Sequence, residues 1–284
     1  MTEPRADLGQ APGSSAGAPT ELRPTDLPPQ LLAHARAFYE SGAVPADPRL
    51  AATVLLLRSE AAGTASDGYE VYAIRRAPTM VFAAGMYAFP GGSVDPRDAG
   101  ADLRWAGPDA ATWARRLGQP TDEAQAIVCA AVREVFEESG VLLAGPTEST
   151  VVGDVSGDDW ESERAALVGR QLGFAEFLHA RDLTLRADLL EPWSRWITPE
   201  FEPRRYDTYF FLARLPAGQL TRNVGSEADE VRWLRPIDRR GLPMLPPTRV
   251  TLKQVDTYGS IDELMAAAAE RDAATPVLPR LAEA

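Results

Sequence analysis

The sequence reads CAAVREVFEESG over residues 129–140, and this stretch predicts one helix with two different faces. Glu134, Glu137 and Glu138 are spaced i, i+3 and i+4, so their carboxylates lie within one turn on the same face. The other face carries apolar side chains spaced to dock on a core: Ile127, Val128, Ala131, Val135 and Phe136. Gly140 predicts the end of the helix, since glycine readily adopts the left-handed conformation found there.

The three glutamates predict either a metal site or a solvated acidic surface. Like charges one turn apart repel each other by roughly a few tenths of a kcal/mol per pair on an exposed helix. A hard divalent cation such as Mg²⁺ prefers carboxylate oxygens and removes that repulsion. A solvated acidic face needs no ligand, and for the helix taken alone it is the simpler interpretation.

A second motif changes that balance. Residues 89–92 read Phe-Pro-Gly-Gly, and paired glycines allow a backbone to approach a ligand or a helix closely. Together with the helix they resemble the Nudix box, G-x5-E-x7-R-E-U-x-E-E-x-G-U. The second half of the box is matched at every specified position: Arg133, Glu134, Val135, Glu137, Glu138, Gly140 and Val141. The chain therefore resembles the Nudix hydrolase family.

The first half of the box departs from the family pattern. Gly92 lies 41 positions before Arg133 where the box has 14, so the chain carries 27 extra residues. Eight positions before Arg133 stands Gln125, where the family has a glutamate that commonly pairs with the arginine. The insertion, about residues 93–121, and its flanking sequences resemble the peroxisomal coenzyme A diphosphatase subfamily. Val81 stands where the coenzyme motif of that subfamily has an arginine.

The resemblance implies an α/β fold, the Nudix α/β/α sandwich with a mixed sheet, extra helices and an insertion within the box. It also implies three ligands for Mg²⁺ (or Mn²⁺): Glu134, Glu137 and Glu138. Arg133 is expected to orient a carboxylate. Either Glu134 or Glu227 is expected to take the proton from the attacking water, with Glu230 as the alternative to Glu227.

Substrate contacts are expected from two glycines and four arginines: Arg75, Arg76, Gly91, Gly92, Arg204 and Arg205. The two glycines bring the backbone close to metal or phosphate. Arg204 and Arg205 lie in a run similar to the Trp-x-Thr-Pro…Arg-Arg-Phe-Asp-Thr stretch of the coenzyme A subfamily, and guanidinium groups fork onto phosphate oxygens. A surface salt-bridge pair explains these two arginines equally well.

The composition limits the classes of partner. The net charge of −12 argues against a nucleic-acid or acidic-membrane binder. No apolar run approaches the ~20 residues of a membrane span. Cys129 is the single cysteine, which rules out an intrachain disulfide and fits a reducing compartment. We expect a cytoplasmic protein that acts on a nucleotide-type small molecule, and a homodimer is left open.

The patterns along the chain predict its organisation. We expect a disordered tail over 1–24, a single domain over 25–272 and a C-terminal tail over 273–284. Helices are predicted over 28–41, 109–117, 161–180, 246–255 and 261–271, and strands over 51–58, 69–75, 193–198 and 206–213. The helix of the insertion is open to three roles, as a lid, a dimer interface or a structural elaboration.

The implied reaction is metal-assisted hydrolysis of a diphosphate linked to a nucleoside. The leading substrate is coenzyme A or acyl-coenzyme A, cleaved to 3′,5′-ADP and (acyl-)4′-phosphopantetheine. ADP-ribose or a dinucleotide is the alternative substrate. A non-catalytic nucleotide-binding module is the alternative of another class, which Gln125 favours. The glutamates disfavour it, because a pure binder gains nothing from a crowded, repulsive face.

Overall fold

The computed structural model describes residues 21–22, 29–60, 68–80, 83–99, 103–224 and 228–282. Two residues singled out above, Val81 and Glu227, lie outside these ranges, as does most of the tail predicted over 1–24. None of the helices in the described ranges is long and apolar enough to cross a membrane.

The helices largely follow the sequence patterns. They are α1 (Pro29–Ser41), α2 (Ala110–Leu117), α3 (Thr121–Ser139), α4 (Asp158–Val168), α5 (Phe174–Ala180), α6 (Pro246–Val255) and α7 (Ile261–Ala269). The glutamate helix is α3, and Gly140 ends it in the left-handed conformation with a φ of 70°, as predicted. Its apolar face is fully buried, which is what fixes the direction of its glutamates.

The strands are short apart from four long ones near the centre. They are β1 (Glu21–Leu22), β2 (Arg49–Ser59), β3 (Tyr69–Arg76), β4 (Tyr87–Ala88), β5 (Gly91–Ser93), β6 (Trp105–Ala106), β7 (Ala144–Gly145), β8 (Thr184–Arg186), β9 (Leu190–Ile197), β10 (Tyr206–Arg214), β11 (Ala228–Leu234), β12 (Pro276–Val277) and β13 (Arg280–Leu281). The main sheet has the order β11-β3-β2-β10-β9-β12, with β4 paired to β3 and β5 paired to β2.

The main sheet is mixed and carries helices on both faces. β2 and β10 run parallel, whereas β2 pairs antiparallel with both β3 and β5. Along β2, Val54 and Leu56 belong to the core cluster that contains α3, and Leu55 and Leu57 belong to the cluster that contains α6 and α7. This alternation is the period-two pattern of a strand buried on both sides. The α/β class and the three-layer arrangement are confirmed.

One predicted helix is wrong. The apolar pattern over 161–180 suggested a single helix, but the structure divides it into α4 and α5. Gly169 caps the end of α4 and Gly173 precedes α5. Between them Arg170 takes a left-handed conformation with a φ of 56°. Glycine weakens a helix interior, so the two glycines outweigh the continuing apolar period.

The segment beyond residue 272, where we expected a tail, contributes two strands. β12 pairs parallel with β9, and β13 pairs parallel with β1. The amide of Ala282 also donates to the Leu22 carbonyl at 2.9 Å. The two segments that flank the predicted domain are therefore joined to each other beside the main sheet.

The insertion packs on the glutamate helix. The side chain of Asp109 caps α2 and Gly118 ends it, as the sequence predicted for a helix over 109–117. Trp113 and Leu117 are fully buried in the core cluster of α3. α2 therefore extends the core, and it is absent from the residues that line the cavity described below.

Candidate active site

The glutamates of α3 face a cavity of about 570 Å³. Glu134, Glu137, Glu138 and Arg133 all line it. The apolar face of α3 docks on the sheet, so these side chains emerge beside the short strand β5. Glu134 is only 8% exposed, which rules out the solvated acidic surface as the description of this residue.

The glycine pair brings β5 against the glutamates. The Gly91 amide donates to Oε2 of Glu138 at 2.7 Å. A Cβ on Gly92 would lie 2.6 Å from Oε1 of Glu134, and a Cβ on Gly91 would lie 2.5 Å from the Ala52 carbonyl oxygen. Because the Ala52 contact is with backbone, Gly91 requires glycine, and a side chain at position 92 would displace the Glu134 carboxylate. The structure thus places Gly91 and Gly92 in the cavity wall, and their contact with metal or phosphate stays a prediction.

Arg133 is the centre of a buried ionic network. Its Nη2 donates to Oδ2 of Asp98 at 3.0 Å, and its Nη1 donates to Glu134 at 2.7 Å and to Glu137 at 3.2 Å. Nη2 also donates to the Ser93 carbonyl at 3.0 Å. These contacts fix the guanidinium so that it orients two of the three glutamates, which is the role expected of Arg133.

Asp98 supplies the carboxylate that Gln125 lacks. It lies at the end of a 3₁₀ turn, Pro96–Asp98, and is 2% exposed. Counting forward from Gly92 rather than backward from Arg133, the glutamate position of the box, six residues after the glycine, falls on Asp98. The extra residues therefore fall between Asp98 and Arg133, and the carboxylate survives as aspartate. Sequence reasoning missed this residue because it counted from the arginine alone.

Burial dominates the electrostatics of the glutamates. It raises the pKa of the Glu134 carboxyl to about 7, although Arg133 acts in the opposite direction. Burial also raises the pKa of Glu137, again against the pull of Arg133. For Arg133 burial lowers the pKa, but Glu134 and Asp98 more than offset it and the net shift is upward. One arginine therefore does not fully compensate the negative charge gathered here.

The glutamates fit a divalent cation in their donor chemistry. In the described part of the chain, no three Asp, Glu, His or Cys side chains converge closely enough to hold a metal ion. Glu134 and Glu137 are turned onto Arg133, and Glu138 accepts from the Gly91 amide. The donors are nonetheless all carboxylate oxygens, which Mg²⁺ and Mn²⁺ accept, and excess negative charge remains. The ligand set Glu134, Glu137 and Glu138 stays a prediction.

The predicted substrate arginines divide into two groups. Arg76 lines the cavity. Arg75, Arg204 and Arg205 are not among the described residues that line it. Arg75 forms ion pairs with Asp229 and Glu230 on β11. Arg205 is buried and donates to the carbonyls of Ala46 and Thr198, at 2.7 and 3.1 Å. Arg204 is exposed.

Glu230, the alternative to Glu227, is engaged elsewhere. The Tyr87 hydroxyl donates to its Oε2 at 2.9 Å, and Arg232 donates to its Oε1. It is not among the described residues that line the cavity. The described residues therefore leave Glu134 as the carboxylate best placed to act as a base, while Glu227 stays a prediction outside the described ranges.

Two arginines that the sequence reasoning did not select line the cavity beside the glutamates. Arg97 is held by Asp95 and donates to the Arg170 carbonyl at 3.3 Å. Arg170 lies on the turn between α4 and α5, and its charge acts to lower the pKa of Glu137. An arginine in this position can form an ion pair with a phosphate group. In the sequence, the glycines at 169 and 173 indicate the turn that carries Arg170.

The cavity continues from the glutamates to an apolar end. That end is lined by residues from several separate elements: Leu22, Leu31, Trp196, Phe201 and Pro279. Phe210 also lines the cavity, and its ring centroid lies 6.5 Å from that of Phe89 beside the glycine pair. Trp196 and Phe210 are buried members of the core cluster that includes α6 and α7. One cavity thus joins a cluster of carboxylates and arginines to an apolar wall.

Comparisons with known proteins agree with this geometry. A family model described as the NUDT19 Nudix domain matches residues 107–241. The chain is 32% identical over 185 residues to putative nudix hydrolase 7 of Caenorhabditis elegans, a match that covers 63% of this chain and 53% of that protein. It is 26% identical over 241 residues to acyl-coenzyme A diphosphatase NUDT19 of Homo sapiens, covering 70% of this chain and 64% of that protein. The chain therefore spans less than two thirds of the length of each of these relatives.

A solved structure also matches most of the chain. The crystal structure of a Nudix hydrolase from Alicyclobacillus acidocaldarius matches with a TM-score of 0.61 and 31% identity, and the match covers 78% of this chain and 96% of that chain. Nearly the whole of that protein is thus represented here, including the arrangement of sheet and helices described above. With the box motif, its geometry and these likenesses in agreement, the chain belongs to the Nudix hydrolase family.

Proposed function

We propose that the protein is a diphosphatase that hydrolyses coenzyme A or acyl-coenzyme A to 3′,5′-ADP and (acyl-)4′-phosphopantetheine, with Mg²⁺ (or Mn²⁺) as cofactor. The observation that carries the proposal is one cavity whose lining includes both the carboxylate cluster of α3 and a set of apolar side chains. Coenzyme A also combines a charged part with a weakly polar part. Its anionic nucleotide is joined through a diphosphate to a long, weakly polar arm. The human relative described above is named as an acyl-coenzyme A diphosphatase, which supports the same assignment.

The residues of α3 have distinct parts in this reaction. Glu134, Glu137 and Glu138 are the residues that would hold the cation, which when bound neutralises charge on the diphosphate and acidifies a water molecule. Arg133 keeps Glu134 and Glu137 oriented, and Asp98 keeps Arg133 in place. Burial raises the pKa of Glu134 to about 7 in the metal-free protein, and a bound cation would lower it again by favouring the carboxylate.

Product analysis tests the proposal. The protein is incubated with Mg²⁺ and, in separate reactions, coenzyme A, acyl-coenzyme A, ADP-ribose, a dinucleotide and a nucleoside triphosphate, and products are identified by mass spectrometry. We expect 3′,5′-ADP from coenzyme A and its esters. Efficient cleavage of ADP-ribose with coenzyme A untouched would contradict the substrate, and tight nucleotide binding without any cleavage would identify a binding module.

A pair of variants tests the role of the glutamates in the same assay. Glu138→Gln removes one negative charge from the cluster and should lower turnover by at least about a hundredfold. Glu148→Gln makes the same change at an exposed glutamate away from the cavity and should leave turnover unchanged. Equal rates for both variants would contradict a role for the α3 carboxylates in catalysis.

A further inference from the structure

We propose that the apolar end of the cavity holds the acyl-pantetheine arm, and that α1 with the β1–β13 pair forms an end wall that limits the length of the acyl chain. This inference rests on the proposed function, because it assumes that the diphosphate binds at the α3 glutamates. It adds a set of specificity-determining residues, chiefly Leu22, Leu31 and Pro279, that lie outside the box motif.

The distance across the sheet fits an extended arm rather than a compact group. Strand pairing places four cavity-lining residues in one row across β5, β2, β10 and β9: Ser93, Ala51, Thr208 and Trp196. Neighbouring strands lie about 4.8 Å apart, so three steps span roughly 14 Å. A substrate bound at the glutamates therefore reaches the apolar end only through a long arm.

The apolar end is closed by both flanking segments of the domain. Leu22 belongs to β1, Leu31 belongs to α1, and Pro279 directly precedes β13. β12, which leads into Pro279, pairs with β9 beside Trp196. β12 is the strand beyond β9 in the main sheet, and α1 contacts the loop that follows β9 through His34 and Phe201. They are therefore placed to meet the far end of a chain that lies across the sheet.

The wall is anchored to the loop that follows β9. His34 on α1 forms a hydrogen bond with the Phe201 carbonyl at 2.7 Å, and the ring of Tyr39 packs edge-on against that of Phe201. Arg205 donates to the carbonyls of Ala46 and Thr198, which ties the segment after α1 to the same loop. A wall held by several polar and aromatic contacts resists displacement, so it can discriminate by length.

The length of the acyl chain of the substrate should therefore affect its binding in two opposite ways. Each methylene that moves from water into the apolar end strengthens binding by about fourfold. A methylene beyond the available length must displace the wall or remain in water, so the gain stops and a penalty appears. The result is an optimum in kcat/KM along a series of acyl-coenzyme A substrates, at a length set by the position of the wall.

The experiment shortens the apolar end without touching the glutamates. Coenzyme A and its acetyl, hexanoyl, decanoyl and hexadecanoyl esters are compared by kcat/KM for the wild type, Leu31→Trp and Leu32→Trp. Leu31 and Leu32 are adjacent in α1 and both are half-buried, but only Leu31 lines the cavity. Leu32→Trp is therefore a matched control for the effect of tryptophan on the helix.

We expect Leu31→Trp to lower kcat/KM for the longest ester that the wild type accepts by at least about tenfold. Coenzyme A itself should change by less than about twofold, and Leu32→Trp should keep the wild-type preference. Leu31→Ala should move the optimum toward longer chains, which guards against a Trp variant that merely folds poorly.

Two failures are distinguishable. If the wild type cleaves coenzyme A and its esters but the chain-length profile of Leu31→Trp matches that of Leu32→Trp, the end wall is refuted and the diphosphatase assignment stands. If the wild type cleaves no coenzyme A compound in the presence of Mg²⁺, the proposed function fails and the inference fails with it.

Discussion

At the scale of single residues, the pairing of Asp98 with Arg133 has the largest consequence for stability. Replacing Asp98 by Asn weakens the charge-assisted hydrogen bonds to the buried guanidinium, which keeps Glu134 and Glu137 as partners, so the cost is about 1.5–3 kcal/mol. We expect a loss of that order in the free energy of unfolding, measured by urea titration. Turnover should fall as well, because Arg133 would no longer be held in position to orient Glu134 and Glu137.

The matched control is another Asp–Arg pair of similar length. Asp182 and Arg104 are 2.7 Å apart, but the side chain of Asp182 is 90% exposed. Exposed pairs contribute about 0–1 kcal/mol, so Asp182→Asn should change the unfolding free energy little. Similar losses for Asp98→Asn and Asp182→Asn would show that the buried network is not what holds the site.

The raised pKa of Glu134 predicts a pH-dependent stability in the metal-free protein. Its folded pKa of about 7 lies above the ordinary value of 4.5. The stability contributed by the protonated carboxyl is therefore fully present below pH 4.5 and is lost as the pH rises through 7. In EDTA, Glu134→Gln should be more stable than the wild type at pH 8, by on the order of 2 kcal/mol.

The difference between Glu134→Gln and the wild type should shrink towards zero at pH 4.5–5, as both proteins then carry a neutral group at position 134. Thermal unfolding at a series of pH values measures it. A constant difference across this range would show that the carboxyl is ionised throughout and that burial does not control it.

Arg170 is the residue best placed to read an additional phosphate. It lines the cavity near Glu137, whereas Arg204 is exposed and is not among the described lining residues. A charge-assisted hydrogen bond contributes about 1.5–3 kcal/mol, so Arg170→Gln should lower kcat/KM for coenzyme A by about tenfold or more. The loss should be smaller for 3′-dephospho-coenzyme A, which lacks one phosphate.

Arg204→Gln serves as the comparison. It makes the same substitution at an arginine that the sequence analysis did select. We expect kcat/KM to remain close to wild type for both coenzyme forms. A selective loss of coenzyme A hydrolysis in Arg204→Gln, with Arg170→Gln unaffected, would restore the role first predicted for the pair at 204 and 205.

At the scale of secondary-structure elements, the contact of β5 with α3 depends on glycine. A methyl group on Gly92 would overlap the Glu134 carboxylate, so Gly92→Ala must displace that carboxylate or move the strand away from the helix. Overpacking of this kind costs about 1–3 kcal/mol in the free energy of unfolding. Turnover should also fall, because the Glu134 carboxylate is displaced from its position in the cavity.

Gly153→Ala is the control for the β5 contact. A Cβ at Gly153 meets no atom within 4 Å. The two variants make the same chemical change, and unfolding and turnover are compared for both. An active Gly92→Ala with wild-type stability would mean that β5 and α3 are farther apart than the structure places them.

The elements also show which features a sequence can predict. α3 was predictable, because its apolar spacing, its acidic face and Gly140 all agree on one helix. Asp98 was not found, because the insertion breaks the spacing along the chain while the ion pair with Arg133 is kept in space. Counting motif positions from one end identifies only the residues on that side of an insertion. The motif residues on the other side are identified by their contacts in the structure.

Two other differences have physical causes. The apolar period through 161–180 continued across Gly169 and Gly173, so periodicity alone concealed the turn that carries Arg170. Arg205 was selected for its charge, but burial directs its guanidinium to backbone carbonyls. Charge patterns identify arginines that can bind phosphate, whereas the contacts made on folding determine which of them remain turned toward the cavity.

At the scale of the whole molecule, the family fold and its additions have separate tasks. The main sheet and α3 carry the box residues, and α2 extends the core beside them. The apolar end of the cavity is completed by α1, β1 and the segment from β12 to β13. The box residues therefore lie on the main sheet and α3, while the residues of the proposed chain-length limit lie on the flanking segments.

Nearly the whole domain lies between β1 and β13, although they pair with each other. This long loop is closed by a pair of strands that are only two residues long. The β1–β13 contact should therefore form late in folding and be among the first to open on unfolding. Hydrogen exchange should find the Ala282 amide less protected than the amides of β2. In mild urea, below the global transition, the enzyme should accept longer chains before it loses the ability to cleave the diphosphate.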